Sequence, residues 1–193
     1  MIPIVFTTSL DPVEAGIVNS LSRPGGNLTG ITSLNVELAP KRLEILHELL
    51  PGAQVIGALV NPAGPNAEAQ SQNLGAAART LGVQLRIVHA STKADFDTVV
   101  RELVQFGVGG LVISADPLFI SHSEQLASLA LRNSLAAIIK GREFVAAGGL
   151  VSYGADIAYI YRIYRQLGLY TGRILKCVNR IKPAPTALVL SDQ

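Results

Sequence analysis

From residue 41 onward, short apolar runs alternate with stretches whose apolar residues recur at helical spacing. The runs at 55–60, 83–88, 111–114, 135–139 and 150–153 carry mainly Val, Ile, Leu and Ala and read as strands. Between them lie helices. Leu43, Leu46, Leu49 and Leu50 form one stripe, with Pro40 at a first helical position and Pro51-Gly52 as its stop. Asn66 is placed to cap a helix over 67–81 that Gly82 ends. The clearest helix follows Thr92 and Asp95, a capping-box pair. Behind it Phe96, Val99, Val100, Leu103 and Val104 repeat at i, i+3, i+4, i+7 and i+8. Ser121 and Glu124 read as a second capping box opening a helix to about residue 133. A short helix over 142–147 and a long one from 156 to about 178 complete the series. Such alternation predicts an α/β fold, a parallel sheet sandwiched by helices.

The segment before residue 41 is less regular. It reads as a strand at 2–6, a polar loop, a short helix over 13–21 and a second strand at 28–32. The helix rests on the stripe Val13, Ile17, Val18 and Leu21, and Arg23-Pro24-Gly25-Gly26-Asn27 breaks it. The Gly/Asn/Thr-rich stretch 22–35 reads as a hinge or linker.

Composition narrows the function classes. Apolar residues make up 49% of the 193, and charged residues 16% against a usual ~25%. A mean hydropathy of +0.37 excludes a disordered chain. The apolar runs stop well short of the ~18 residues of a membrane span. A net charge of +2 with scattered basic residues predicts no nucleic-acid partner. Cys177 is the only cysteine, which excludes an internal disulfide and a cysteine zinc site. The opening Met1-Ile2-Pro3-Ile4-Val5-Phe6 has no secretory-signal pattern, and taken literally it predicts a cytoplasmic chain. There is no phosphate loop, no Gly-x-Gly-x-x-Gly and no Gly-x-Ser-x-Gly. His47, His89 and His122 lack zinc-ligand spacing, and only His89, at a strand end, is placed for a site. The expectation is a protein without catalytic residues, metal or cofactor.

In an open parallel sheet, ligands bind beyond the carboxyl ends of the strands. The residues there are hydroxyls, amides and carboxylates, groups that hold a small polar ligand by hydrogen bonds. Thr8, Ser9 and Asp11 follow the first strand, and Asn61 follows the run at 55–60. Ser114 and Asp116 follow the run at 111–114, and Ser152, Tyr153 and Gly154 end the last. Asp11-Pro12 and Asp116-Pro117 each admit two readings. The carboxylate either bonds its own backbone in a turn or receives a ligand ammonium. Tyr153 is either a core ring or a flat platform for a ligand, beside a glycine that lets backbone approach closely.

Several motifs together resemble one family. They are Asp11-Pro12-Val13, then Ser20-Leu21-Ser22-Arg23-Pro24-Gly25-Gly26-Asn27-Leu28-Thr29-Gly30, then Asn61-Pro62 and Asp116-Pro117-Leu118. Arg142-Glu143-Phe144-Val145-Ala146-Ala147-Gly148-Gly149-Leu150-Val151-Ser152-Tyr153-Gly154 follows, with Arg173-Ile174-Leu175-Lys176 and Lys182-Pro183 near the end. In order and nearly along the whole chain, they resemble the ABC-transporter substrate-binding proteins of type I periplasmic-binding fold, including tryptophan and other aromatic amino-acid binders. One departure is Leu135-Ala136-Ala137, with Ala where relatives usually carry Pro. The resemblance implies two α/β lobes closing on a small molecule, a periplasmic or membrane-anchored extracytoplasmic location, and a membrane permease as partner. Two lobes want about 250–300 residues. It therefore also implies a chain truncated at both ends, with one complete lobe and part of another. Residues 1–35 would be the remnant of the first lobe with its hinge, 36–152 the second lobe, and 153–193 a helix and tail returning to the first. Ser9 and Asp11 would line the pocket from the first lobe, and Asn61, Asp116, Tyr153 and Gly154 from the second. For an amino-acid ligand, Asp116 would take the ammonium and Tyr153 would meet the side chain. The first strand would have an open edge available for self-association. The alternative is a cytoplasmic ligand-sensing regulatory domain of the same fold.

Overall fold

The computed structural model describes residues 2–8, 11–32, 38–154 and 157–177. Contacts divide the chain into two compact units, Val36–Gly154 and the combination of Met1–Asn35 with Ala155–Gln193.

The Val36–Gly154 unit holds five parallel strands: β3 (Val55–Val60), β4 (Gln84–His89), β5 (Gly110–Ile113), β6 (Ala136–Ile139) and β7 (Val151–Ser152). Their spatial order is β4-β3-β5-β6-β7. The first strand of the unit is thus paired on one side with the second and on the other with the third, the arrangement of doubly wound sheets. Side chains alternate across the sheet. Ile56, Ala58, Val112 and Ile138 meet Leu43 and Leu46 of α1 (Leu38–Leu49) and Leu74 and Ala78 of α2 (Ala67–Leu81). Leu59, Leu111, Ile113 and Ile139 face the other layer. That layer is α3 (Phe96–Phe106), α4 (Pro117–Ser121), α5 (Ser123–Arg132) and α6 (Arg142–Ala146). Gly57 belongs to the second face, where an added Cβ would lie 3.0 Å from Leu103 of α3. This is the parallel sheet sandwiched by helices that the alternating pattern predicts.

The α3 start follows the expected capping logic. Asp95 Oδ2 accepts hydrogen bonds from the Ser91 and Thr92 amides at 2.9 and 2.8 Å and from the Thr92 hydroxyl at 3.1 Å. These bonds favour the ionised carboxylate and hold its pKa below the usual range, led by the Thr92 amide. Ser121, by contrast, does not open α5. Its hydroxyl donates to the Leu118 carbonyl at 3.0 Å and so closes α4, while His122 takes the N-cap position of α5. Leu49 leaves the expected stripe and is 52% exposed, because α1 turns Ala39, Arg42, Leu43 and Leu46 to the sheet instead.

In the other unit, β1 (Ile4–Thr8) and β2 (Leu28–Thr32) pair in parallel. The long helix α7 (Ile157–Cys177) packs on them through Ile163, Leu167 and Tyr170, which gather around Ile31. The expected helix over 13–21 does not form; turns take its place. Asp11 Oδ1 accepts from the Val13 and Glu14 amides at 2.7 and 3.2 Å and starts a turn. Gly16 then adopts φ +67°, which a right-handed helix cannot continue through.

Leu103→Ala, at a fully buried site against Gly57, should lower unfolding free energy by about 2–5 kcal/mol in denaturant titrations. Leu131→Ala, at an exposed position, should stay within about 0.5 kcal/mol of the parent. Asp95→Asn should lower the thermal midpoint at neutral pH. Since the folded-state carboxyl titrates below its unfolded value, its contribution is full above the unfolded pKa. It is lost as pH falls through the folded one, so the two melting curves should converge at acid pH.

Candidate functional site

The connections leaving β3 and β5 run to opposite faces of the sheet, through α2 and through α4 and α5, so their loops separate above the carboxyl ends of these neighbouring strands. That crevice is where doubly wound sheets bind ligands. Asn61 follows β3, and Ser114, Ala115 and Asp116 follow β5. The structure joins the two sides directly. Asn61 Nδ2 donates to Asp116 Oδ1 at 3.1 Å. The same oxygen accepts the Leu118 amide at 2.9 Å, making Asp116 the N-cap of α4, with Pro117 in the first turn. Asn61 Oδ1 in turn accepts the Ala63 amide at 3.1 Å and rounds the chain toward Gly64.

Asp116 is 6% exposed, so its position is set by these bonds rather than by water. Gly64 lies against its second oxygen; a Cβ at residue 64 would stand 2.5 Å from Asp116 Oδ2. A carboxylate accepts through both oxygens. Oδ1 is committed to the fold, and Oδ2 is left beside the smallest residue available. Gln70 reaches up from α2, buried, and its Oε1 accepts the Ala115 amide at 3.0 Å. Ser114 Oγ is buried beside it without a hydrogen-bond partner. The loop after β5 is therefore held from two sides, by Asn61 and by Gln70.

The remaining expected residues lie elsewhere. Tyr153 and Gly154 follow β7, with β6 standing between that strand and β5. Tyr153 is 38% exposed. Its amide donates to the Ile139 carbonyl at 2.9 Å, and its own carbonyl accepts Arg42 Nε at 2.9 Å. Gly154 has φ +151°, and a Cβ there would meet Lys140 Cγ at 2.8 Å, so glycine is required on both counts. Asp11 belongs to the other unit and carries the turn role described above. Ser9 lies outside the described residues. The structure thus brings Asn61 and Asp116 together, sets Tyr153 and Gly154 side by side at the sheet edge, and leaves these pairs two strands apart.

Three residues here were not anticipated: Gly64, Gln70 and Arg42. A signal existed for two of them. Arg42 falls in the stripe Ala39, Arg42, Leu43, Leu46 at i, i+3, i+4 and i+7, and Gln70 leads the stripe Gln70, Leu74, Ala78. Polar residues in register with an apolar face point to burial. Among the described residues, no three His, Cys, Asp or Glu side chains converge as a metal site. No described helix is long and apolar enough to cross a membrane.

A family model described as "ABC transporter substrate binding protein" matches residues 1–189. The chain belongs to this family. A tyrosine-binding protein of Clostridioides difficile is 30% identical over 174 residues, covering 90% of this chain and 47% of that relative. A conserved domain protein from Vibrio cholerae superposes with a TM-score of 0.78 at 28% identity, over 97% of this chain and 61% of that one. An ABC domain from Streptococcus pneumonia, solved in complex with L-Trp, gives a TM-score of 0.71 at 25% identity, over 98% and 61%. The chain spans about half the length of the curated relative and three fifths of the solved ones. The type I periplasmic-binding fold implied by the motifs is the fold of these neighbours. Two of these relatives are described by a bound amino acid, tyrosine for the Clostridioides difficile protein and L-Trp for the pneumococcal one.

The contact between Gly64 and Asp116 can be tested without a ligand. Gly64→Ala should destabilise the unit by about 1–3 kcal/mol, the overpacking range. In an Asp116→Ala background, which removes the opposing oxygen, most of that loss should vanish. A double-mutant cycle in denaturant reads the coupling, and strict additivity would contradict the contact.

Proposed function

We propose that this chain is the ligand-capturing part of an ABC import system and that its ligand is an amino acid, with tyrosine and tryptophan as the first candidates. One observation carries this reading: a buried carboxylate stands at the sheet's switch point with one oxygen engaged by Asn61 and Leu118 and the other beside Gly64. The family match and the two relatives named for tyrosine and L-Trp support it. Asp116 Oδ2 takes the ligand ammonium in a charge-assisted hydrogen bond, and Asn61 holds the carboxylate in place for it. Tyr153 offers a partly exposed ring for an apolar or aromatic side chain. Ser9 and Asp11 are further candidate ligand contacts. The protein works outside the cytoplasm, and a membrane permease receives the ligand.

Calorimetry tests this on the present chain and on a chimera in which it replaces the matching 61% of the pneumococcal relative. Tyrosine or tryptophan should bind, and at 100-fold its Kd should add about 2.7 kcal/mol of stability. Asp116→Asn should weaken binding about 10- to 100-fold, or about 1.4–2.8 kcal/mol. A ligand analogue with the ammonium replaced by hydrogen should bind the parent and Asp116→Asn equally. Absence of binding by any amino acid in the chimera would overturn the reading.

A further inference from the structure

Among the described residues, Arg42 is the largest fully buried side chain. It lies on the second turn of α1, on the face that α1 presses against the sheet. Its Nε donates to the Tyr153 carbonyl at 2.9 Å, while Nη1 and Nη2 are enclosed without any hydrogen-bond partner. The ion pairs of the described residues join Lys41 to Glu44, Arg86 to Glu102 and Arg132 to Asp97, and none includes Arg42. Burial pushes its pKa down to about 10, with the Tyr153 phenol acting weakly the other way. An enclosed charge without a counter-charge costs several kcal/mol, and an apolar side chain of similar length would fill the same space at less cost. Packing therefore does not explain an arginine here.

Its place along the chain does. The chain enters this unit at Val36 and leaves it at Gly154. The helix that carries Arg42 begins at Leu38, just after the entry, and Tyr153 is the residue just before the exit. One hydrogen bond spanning 111 residues of sequence thus ties entry to exit within a single unit. The Tyr153 peptide is gripped on both sides, its amide by the Ile139 carbonyl and its carbonyl by Arg42. Gly154 follows with no room for a side chain against Lys140.

We propose that Arg42 is a positioning residue for ligand capture: its guanidinium fixes the Tyr153–Gly154 backbone to the start of α1, holding the unit's two chain crossings as one body and the Tyr153 ring in a set direction. Its effect on binding rests on the amino-acid reading above; its effect on the Tyr153 backbone does not. Arg42 acts through Tyr153, because its own nitrogens are closed off from a ligand.

The test compares the parent with Arg42→Met, which keeps the stem and removes donor and charge, and Arg42→Lys, which keeps a cationic donor. In Arg42→Met, hydrogen exchange at the Tyr153 amide should speed up by about tenfold or more, while the Leu59 and Val112 amides stay within about twofold. The denaturation midpoint should hold or rise, because the buried charge is gone. Amino-acid affinity in the chimera should fall by about tenfold, and Arg42→Lys should recover part of both losses. In the parent, the Arg42 Nε–H should exchange slowly with solvent, a readout that needs no variant to fold. Fast Nε–H exchange, or unchanged Tyr153 protection in Arg42→Met, overturns the proposal. A uniform loss of protection with a lower midpoint also overturns it, since a purely structural role would give that. Faster Tyr153 exchange with unchanged affinity removes the link to capture. A parent chimera that binds no amino acid sinks the ligand reading alone, and the exchange data still decide the role of Arg42.

Discussion

Ile56, Ala58 and Val112 point to one side of the central sheet and Leu59, Leu111 and Ile113 to the other, and water reaches neither. Burying a strand on both faces removes apolar surface at roughly 25 cal/mol per Å² and forbids polar side chains along the strand. Everything else about the unit follows from that condition. Helices must cover both faces, the loops that join them must run above the strand ends, and polar residues are pushed into those loops. Gly57 and Gly110 show how close the layers come, for a Cβ on either would press against Leu103 or Leu50.

The same condition makes the switch point the natural place for chemistry. Neighbouring strands β3 and β5 send their chains to opposite faces, and the gap between them is lined by what the sheet cannot hold inside. Asn61 and Asp116 close that gap with one hydrogen bond. Asp116 serves two ends with two oxygens. Oδ1 caps α4 and receives Asn61, and Oδ2 stands against Gly64. A turn-forming role and a ligand-facing role are thus compatible in one side chain. For Asp11 the turn role is the one in view, with its Oδ1 on the Val13 and Glu14 amides.

Local pattern was a good guide wherever burial and local geometry agree. The stripe Phe96, Val99, Val100, Leu103 forms the helix its spacing implies, and Asp95 holds its start. The stripe Val13, Ile17, Val18, Leu21 has similar spacing and yields turns, because Gly16 takes a left-handed conformation inside it. Ser121 and Glu124 carry a capping signature, yet the serine hydroxyl finds the Leu118 carbonyl first. Competition for a hydrogen-bond partner is decided by what lies within about 3 Å, and sequence spacing does not list every competitor.

By itself the sequence determined the α/β class, the parallel sheet and the family, and it marked strand-end residues, Asn61, Asp116 and Tyr153 among them, as candidates for a site. Periodicity and chain order carry these, since they depend on residues close in sequence or on which strand a loop follows. Only the tertiary structure decided which of them meet. Asn61 bonds Asp116 across 55 residues, and Arg42 reaches Tyr153 across 111. Such pairings depend on strand order, and the β4-β3-β5-β6-β7 order places β3 beside β5 and removes β7 from both. Arg42 stands in register with the apolar stripe of α1, which points to burial, but its partner, the Tyr153 carbonyl, became visible only when the two ends of the unit were brought together.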